Sequence, residues 1–359
     1  MTITEAASTA SAQIKTRSGG GGLGRFILWR ALLIIPTVFI LVTMVFLLMR
    51  TLGNPITASV GDRLPPAELA KRVAEAGYDR PLIVQYFEYL GQVFTGNFGV
   101  TFSDRRPVTE VLVTYGAATL ELAVYTLIVA LVVGIPLGML AAYYRDRGPD
   151  AVLRVFAIFT YATPVFFSGL IMKLIFGVWL GWLPVSGRAS IATELQLQML
   201  PDPSGLYLID AIRTGSLANV GDVLLHAILP ALTLGMMTAG IFLRLVRTNM
   251  IGTIGREYVD SARSRGVSEF RLVTKHAYRP ALIPIITVIG LQIAMLLGGA
   301  VLTETTFEWK GLGFQLAHYL SARDFVAVQG IVALLAVIVA LSNFVVDVVA
   351  ALIDPRVRY

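Results

Sequence analysis

Cysteine is absent from the 359-residue chain, which excludes disulfides, thiol nucleophiles and thiolate-held metals. Histidine occurs three times, too scattered along the chain to suggest a metal cluster. No G-x-x-x-x-G-K-[ST] phosphate loop occurs, so the chain has no such nucleotide site of its own. Charge is scarce too: 14% of residues are Asp, Glu, Lys or Arg, 56% are hydrophobic, and mean hydropathy is +0.73. That leaves too little polar surface to cover a soluble globule of this size. The bulk of the chain therefore belongs in lipid. Short alternating segments of the β-barrel kind are also missing, and so is any constellation that looks like a catalytic centre.

What is present is a set of continuous Leu/Ile/Val/Ala runs, each about 20 residues and long enough for the hydrocarbon core. They fall near 31–49, 117–142, 155–180, 225–246, 281–303 and 326–351. The expectation is an all-α integral membrane protein with six transmembrane helices. Lys15, Arg17, Arg25 and Arg30 precede the first run; Arg145, Arg147 and Arg154 flank the second connection; Arg247, Arg256, Arg263, Arg265, Arg271, Lys275 and Arg279 crowd the fourth; Arg356 and Arg358 follow the last. All lie on one side of a six-span layout, which predicts that both termini are cytoplasmic. The net charge of +6 then reflects topology and attraction to membrane lipid, with no nucleic-acid fold motif in sight.

Residues 1–25 are polar and Gly/Ser/Ala/Thr-rich and read as a flexible cytoplasmic tail ahead of a transmembrane domain over 26–359. The apolar run after Arg30 is too long for a signal-peptide core and reads as a retained anchor. An outside segment over 51–116 predicts two helices. One follows Pro65 and stops at Gly77. The other is capped by Asp79, carries Leu82, Tyr86, Leu90, Val93 and Phe94 near one face, and ends at Gly96 and Gly99.

The cytoplasmic connection 247–280 contains EYVDSARSRGVSEFRLVTKHAYRP. Its pattern predicts a short helix over 254–265, a left-handed stop at Gly266, a second helix capped by Ser268, and a ladder interrupted by Pro280 and Pro284. Small Ala262 would let a partner approach, with Glu257, Asp260, Arg263 and Arg265 to register it. An ordinary amphipathic connector fits the same pattern equally.

Glu257, Ala262 and Gly266, with Pro284 downstream, make this segment similar to the EAA loop of bacterial ABC-importer permeases; Val259 stands where the motif has its middle Ala. The stretches DRPLIVQYFEYLGQVFTGNFGVTF (79–102), LTETTFEWKGLGFQLAHYLSARDFVAVQGIV (302–332) and SNFVVDVVAALIDPRVRY (342–359) resemble the peptide/nickel-type permeases, in the subunit with the long first outside segment. The resemblance implies a type I importer permease fold and a non-catalytic subunit of a multi-pass inner-membrane machine. Implied partners are a second homologous permease subunit, two ATPase subunits that bind ATP and Mg, and an extracytoplasmic substrate-binding protein. No cofactor is implied on this chain. The coupling assignment would fall on Glu257, Asp260, Ala262, Arg263, Arg265 and Gly266.

Within the spans, Gly134 and Gly138 flank Pro136 and suit close helix contact. Gln292 is either pathway-lining or a buried interhelical hydrogen bonder. Lys173, deep in the third span, either snorkels outward or lines the path with Glu121 as its partner. The turn Phe307–Gly313 offers aromatics for the outer interface and glycines for a tight bend. The resemblance makes peptides the expected substrate, with nickel complexes, glutathione-like molecules and oligosaccharides as alternatives. An ion-coupled secondary transporter is the competing class, though no internal repeat supports it.

Overall fold

The computed structural model describes residues 22–51, 53–54, 56–57, 64–75 and 77–353. The predicted tail lies outside the described residues up to residue 21, as do Arg356 and Arg358. The described chain is helical, with no strand beyond one isolated bridge between Val100 and Pro107. In order, the helices are α1 (Gly22–Thr51), α2 (Pro66–Glu75), α3 (Leu82–Thr95), α4 (Val108–Tyr143), α5 (Gly148–Ala162), α6 (Val165–Met172), α7 (Ile191–Gln198), α8 (Tyr207–Arg213), α9 (Leu217–Ile254), α10 (Glu257–Ser264), α11 (Tyr278–Gly299), α12 (Val301–Phe307), α13 (Leu312–Ser321) and α14 (Phe325–Ile353). Among the described residues four stretches are long and apolar enough to cross a membrane: Leu23–Thr51, Val108–Tyr143, Leu217–Ile254 and Phe325–Val349. A fifth arises if α5 and the helix after it count as one bent span.

That bend corrects the sequence expectation of a single span over 155–180. Pro164 lacks an N–H and drives Thr163 to an extended conformation (φ −81°, ψ 128°), so the helix stops and restarts at 103°. Past the bend, α6 runs into a π-helical stretch, Lys173–Trp179.

Packing centres on α4 and α9, which share the most extensive helix contact. At about 1.5 Å per residue these helices run roughly 54 and 57 Å, well beyond the hydrocarbon core. Gly134 and Gly138 make their approach possible. A Cβ at Gly134 would lie 2.7 Å from the Ala239 carbonyl oxygen, and one at Gly138 2.6 Å from Val246 Cβ. Pro136 sits between them inside an unbroken helix. Around this pair, α11 and α14 pack together, and α1 lies on α14 with Leu32, Ile35, Phe39, Ile40 and Leu47 exposed. An apolar face that large suits lipid and not water.

Outside the spans, α3 presents Tyr86, Tyr89, Leu90 and Val93 to Val42, Phe46 and Ala333, while Leu82 and Phe94 of the predicted face are exposed. Its N-cap is Pro81 and not Asp79, which lies in the preceding turn; the fixed φ of Pro81 (−55°) starts the helix without a side-chain cap. Pro280 and Pro284, expected to interrupt the ladder, both lie inside α11; the irregularity is a π-helical stretch just upstream, Leu272–Ala277.

Gly138→Val is expected to lower stability by about 1–3 kcal/mol by overpacking α4 on α9. Gly252→Ala, in open space on α9, should be neutral or stabilising by up to about 1 kcal/mol. Thermal unfolding in detergent ranks the two.

Candidate coupling surface and buried polar framework

The loop between α9 and α11 begins where Gly255 ends α9, so the short helix covers Glu257–Ser264 and not 254–265. Arg265 closes it, and Gly266 takes φ +80°, the left-handed region that an L side chain enters at a cost. Val259 and Ala262, one turn apart, are buried with Leu272, and partly buried Val267 packs against them. Ala262 therefore faces its own chain, which corrects the expectation that it receives a partner. Helical periodicity leaves Glu257, Tyr258, Asp260, Arg263 and Arg265 exposed on the remaining surface. Arg263 bonds Asp260 and places its Nε 2.6 Å from Glu269, spanning α10 and the next helical turn. Ser268 makes no capping hydrogen bond there. Arg263 holds the Glu269 carboxyl below the usual carboxylate range. The pair thus contributes above the ordinary pKa of 4.5 and is lost as pH falls through the lowered one.

At the same end of the bundle, Asp150 in the first turn of α5 is fully buried. Arg247 of α9 grips it through Nε (2.6 Å) and Nη2 (2.7 Å), and the Asp146 N–H donates to it at 3.0 Å. Two helices and the 144–147 turn are registered on one carboxylate.

The opposite end holds a larger framework. Glu304 of α12 accepts from Thr119 Oγ1 (2.7 Å) and from the Phe314 N–H (2.9 Å), while Thr119 accepts from the Leu312 N–H (2.8 Å). Trp309 donates through Nε1 to the Ala118 carbonyl at 2.9 Å. The α12–α13 turn is thereby fastened to α4. Trp309 and Phe307 are buried, so these aromatics are internal and do not sit in an interfacial belt as expected from sequence. A Cβ on Gly311 would fall on the Glu304 carboxylate, and one on Gly313 would lie 2.6 Å from Val301 Cα. These glycines serve close approach and not the turn itself; the positive φ belongs to Glu308. Asp324, also fully buried, accepts from the Phe102 and Ser103 N–H groups, the Ser103 hydroxyl and the Ala327 N–H, tying the 99–107 loop to the start of α14.

Glu121 and Lys173 do not meet. Glu121 is buried with Arg188, whose Nη2 lies 2.5 Å away, and also accepts from the Leu208 N–H and the Tyr125 hydroxyl. The Arg188 guanidinium stacks 3.6 Å above the Tyr207 ring and reaches the Gly205 carbonyl at 2.8 Å. Lys173 donates instead to the Thr306 carbonyl at 2.8 Å, near the Phe307 ring. That carbonyl is free because α12 ends at Phe307, where a lysine suits the helix C-terminus. Gln292 is buried on α11. Asp150, Arg188, Glu304 and Asp324 are not predicted from sequence. Asp150 and Asp324 stand just where a helix starts, a signal that could have found them.

A bundle of long apolar helices bare to lipid, with polar clamps gathered at its two ends, defines a multi-pass membrane protein. Residues 134–359 match the family described as binding-protein-dependent transport system inner membrane component, and residues 23–123 match its N-terminal domain. The chain belongs to this family and is a non-catalytic component of the bacterial inner membrane. It is 38% identical over 93% of its length to the di/tripeptide transport system permease protein DppB of Pseudomonas aeruginosa, covering 98% of that protein. Identity is 37% to the dipeptide permease protein DppB of Escherichia coli K12 and 34% to the glutathione transport system permease protein GsiC of Salmonella choleraesuis, each over 93% of this chain and 99% of the relative.

Glu121→Gln should strand Arg188 as a buried, unpaired cation and lower stability by about 3–5 kcal/mol. Glu68→Gln, which breaks an exposed pair with Arg72, should change it by less than about 1 kcal/mol. Melting temperatures of the two variants check the contrast.

Proposed function

We propose that the chain forms half of the translocation path of an ATP-driven importer of di- or oligopeptides. Near full-length similarity to permeases named for dipeptides and di/tripeptides carries this reading. The other half is a second homologous permease; two ATPase subunits supply ATP and Mg chemistry, and an extracytoplasmic protein delivers the peptide. Six spans with cytoplasmic termini fit the basic residues gathered around 145–154 and 247–279.

In this reading α10 is the coupling helix. Its exposed Glu257, Asp260, Arg263 and Arg265 register it in a groove of an ATPase subunit, Ala262 anchors it from beneath, and Gly266 turns the chain back toward α11. Closure of the ATPase pair moves both coupling helices and shifts the bundle between inward-open and outward-open arrangements. Gln292 and Lys173 line the path. Lys173 uses one donor on Thr306, which leaves two for a peptide carboxylate. Glu121 enters only through Arg188, since both its oxygens are engaged.

Gly266→Val meets no neighbour but forces a β-branched residue to φ +80°. With Glu257→Lys, it should insert normally yet lose peptide-stimulated ATP hydrolysis in the reconstituted complex. Wild-type hydrolysis and uptake in both variants would remove the coupling role. Lys173→Met should assemble normally and reduce peptide uptake, read as a raised KM for labelled dipeptide; unchanged uptake would retire Lys173 from the path.

A further inference from the structure

The helices α5 and α9 touch where Gly240 meets Ala157; a Cβ at Gly240 would lie 2.5 Å from Thr160 Oγ1 and 3.1 Å from the Ala157 carbonyl oxygen. Beside that contact a groove of about 470 Å³ opens between them. Its wall is apolar, formed by Ala157, Ile158, Ala162, Ile241 and Leu243, and its rim carries Arg154, Arg244 and Arg247 with Tyr161. Along the same helix Val155, Ile158 and Phe159 stand exposed, so the groove continues into an apolar outer face.

The charge at the rim is unbalanced. Among the described residues Asp150 is the carboxylate ion-paired there, gripped by Arg247 and approached by Arg154 at 3.7 Å. Three guanidinium groups meet one directly paired carboxylate, and Asp146, whose charge also reaches Arg247, is itself paired with Arg145, so the rim stays net positive. Arg244 has no carboxylate partner among the described residues; its guanidinium lies 6.0 Å from the Tyr161 ring, and the side chain is exposed. Guanidinium groups bind phosphate oxygens in paired hydrogen bonds, and an aromatic at the same height suits the headgroup region.

We propose that this groove holds an anionic phospholipid, its phosphate on Arg244 and Arg154 and an acyl chain along Ile158 and Ile241. A neutral lipid would leave the surplus charge unanswered, and a free phosphate would leave the apolar wall empty. A protein partner would have to bring its own carboxylates to the membrane surface. Placement in the cytoplasmic leaflet rests on the orientation proposed above, whereas lipid binding can be read without any transport measurement.

The test uses the assembled transporter in nanodiscs of phosphatidylcholine with one-fifth phosphatidylglycerol, and native mass spectrometry of retained lipid. Arg244→Gln should lower phosphatidylglycerol retention about fivefold, the effect of one basic residue near an anionic surface. Arg145→Gln, an exposed arginine at the same end but outside the groove, should leave retention unchanged. Arg247 is left intact because it holds Asp150. A photo-crosslinker at Ile158 should capture phosphatidylglycerol. Equal retention in the two variants, displacement of the lipid by inorganic phosphate, or crosslinking of Ile158 to the partner permease alone would each overturn the proposal.

Discussion

A carboxylate taken out of water has to be met by donors, and this bundle is organised around four that are. Glu121, Asp150, Glu304 and Asp324 are all buried, and each is met by at least one donor from a segment remote in sequence, whereas buried Asp210 is met by donors within six residues of it. Apolar side chains in lipid gain little from choosing one neighbour over another, because hydrocarbon surrounds them either way. Buried carboxylates are less tolerant, since a misplaced one keeps its desolvation penalty without its donors. Registry between the helices therefore comes from these points, and packing fills the space between them.

The distribution of the four follows from the same physics. Asp150 and Asp324 stand at helix starts, Glu304 lies in the short α12, and Glu121 lies inside α4 where the 188–208 connection packs on it. The central contact of α4 with α9 sets Gly134 and Gly138 against Ala239, Phe242, Leu243 and Val246, so the backbones approach closely. A closely packed α4–α9 contact, tied to its neighbours through these carboxylates, is suited to moving as a unit.

Length and apolarity were enough to locate the long helices, because hydropathy over twenty residues outweighs local detail. They could not reveal the break at Thr163–Pro164, since the runs on either side are equally apolar. The turn at Gly266 was legible because its conformation is local, dictated by one residue's missing Cβ. The partners of Glu121 and Lys173 were not: Arg188 lies 67 residues from Glu121, and Lys173 is answered by a backbone carbonyl that carries no sequence signature. That Ala262 is small is visible in the sequence and that it is buried is not, because helical periodicity says which residues share a face but not what that face meets.

The burial of Val259 and Ala262 against Leu272 also bears on how fast anything can bind the α10 loop. A segment that folds only on contact has to search its conformations while its partner waits, and it loses affinity to the ordering. This loop has its own small core and a fixed outline before any encounter, so docking becomes a rigid-body event limited by diffusion and orientation. Repeated release and re-engagement would then leave no memory in the loop's own conformation.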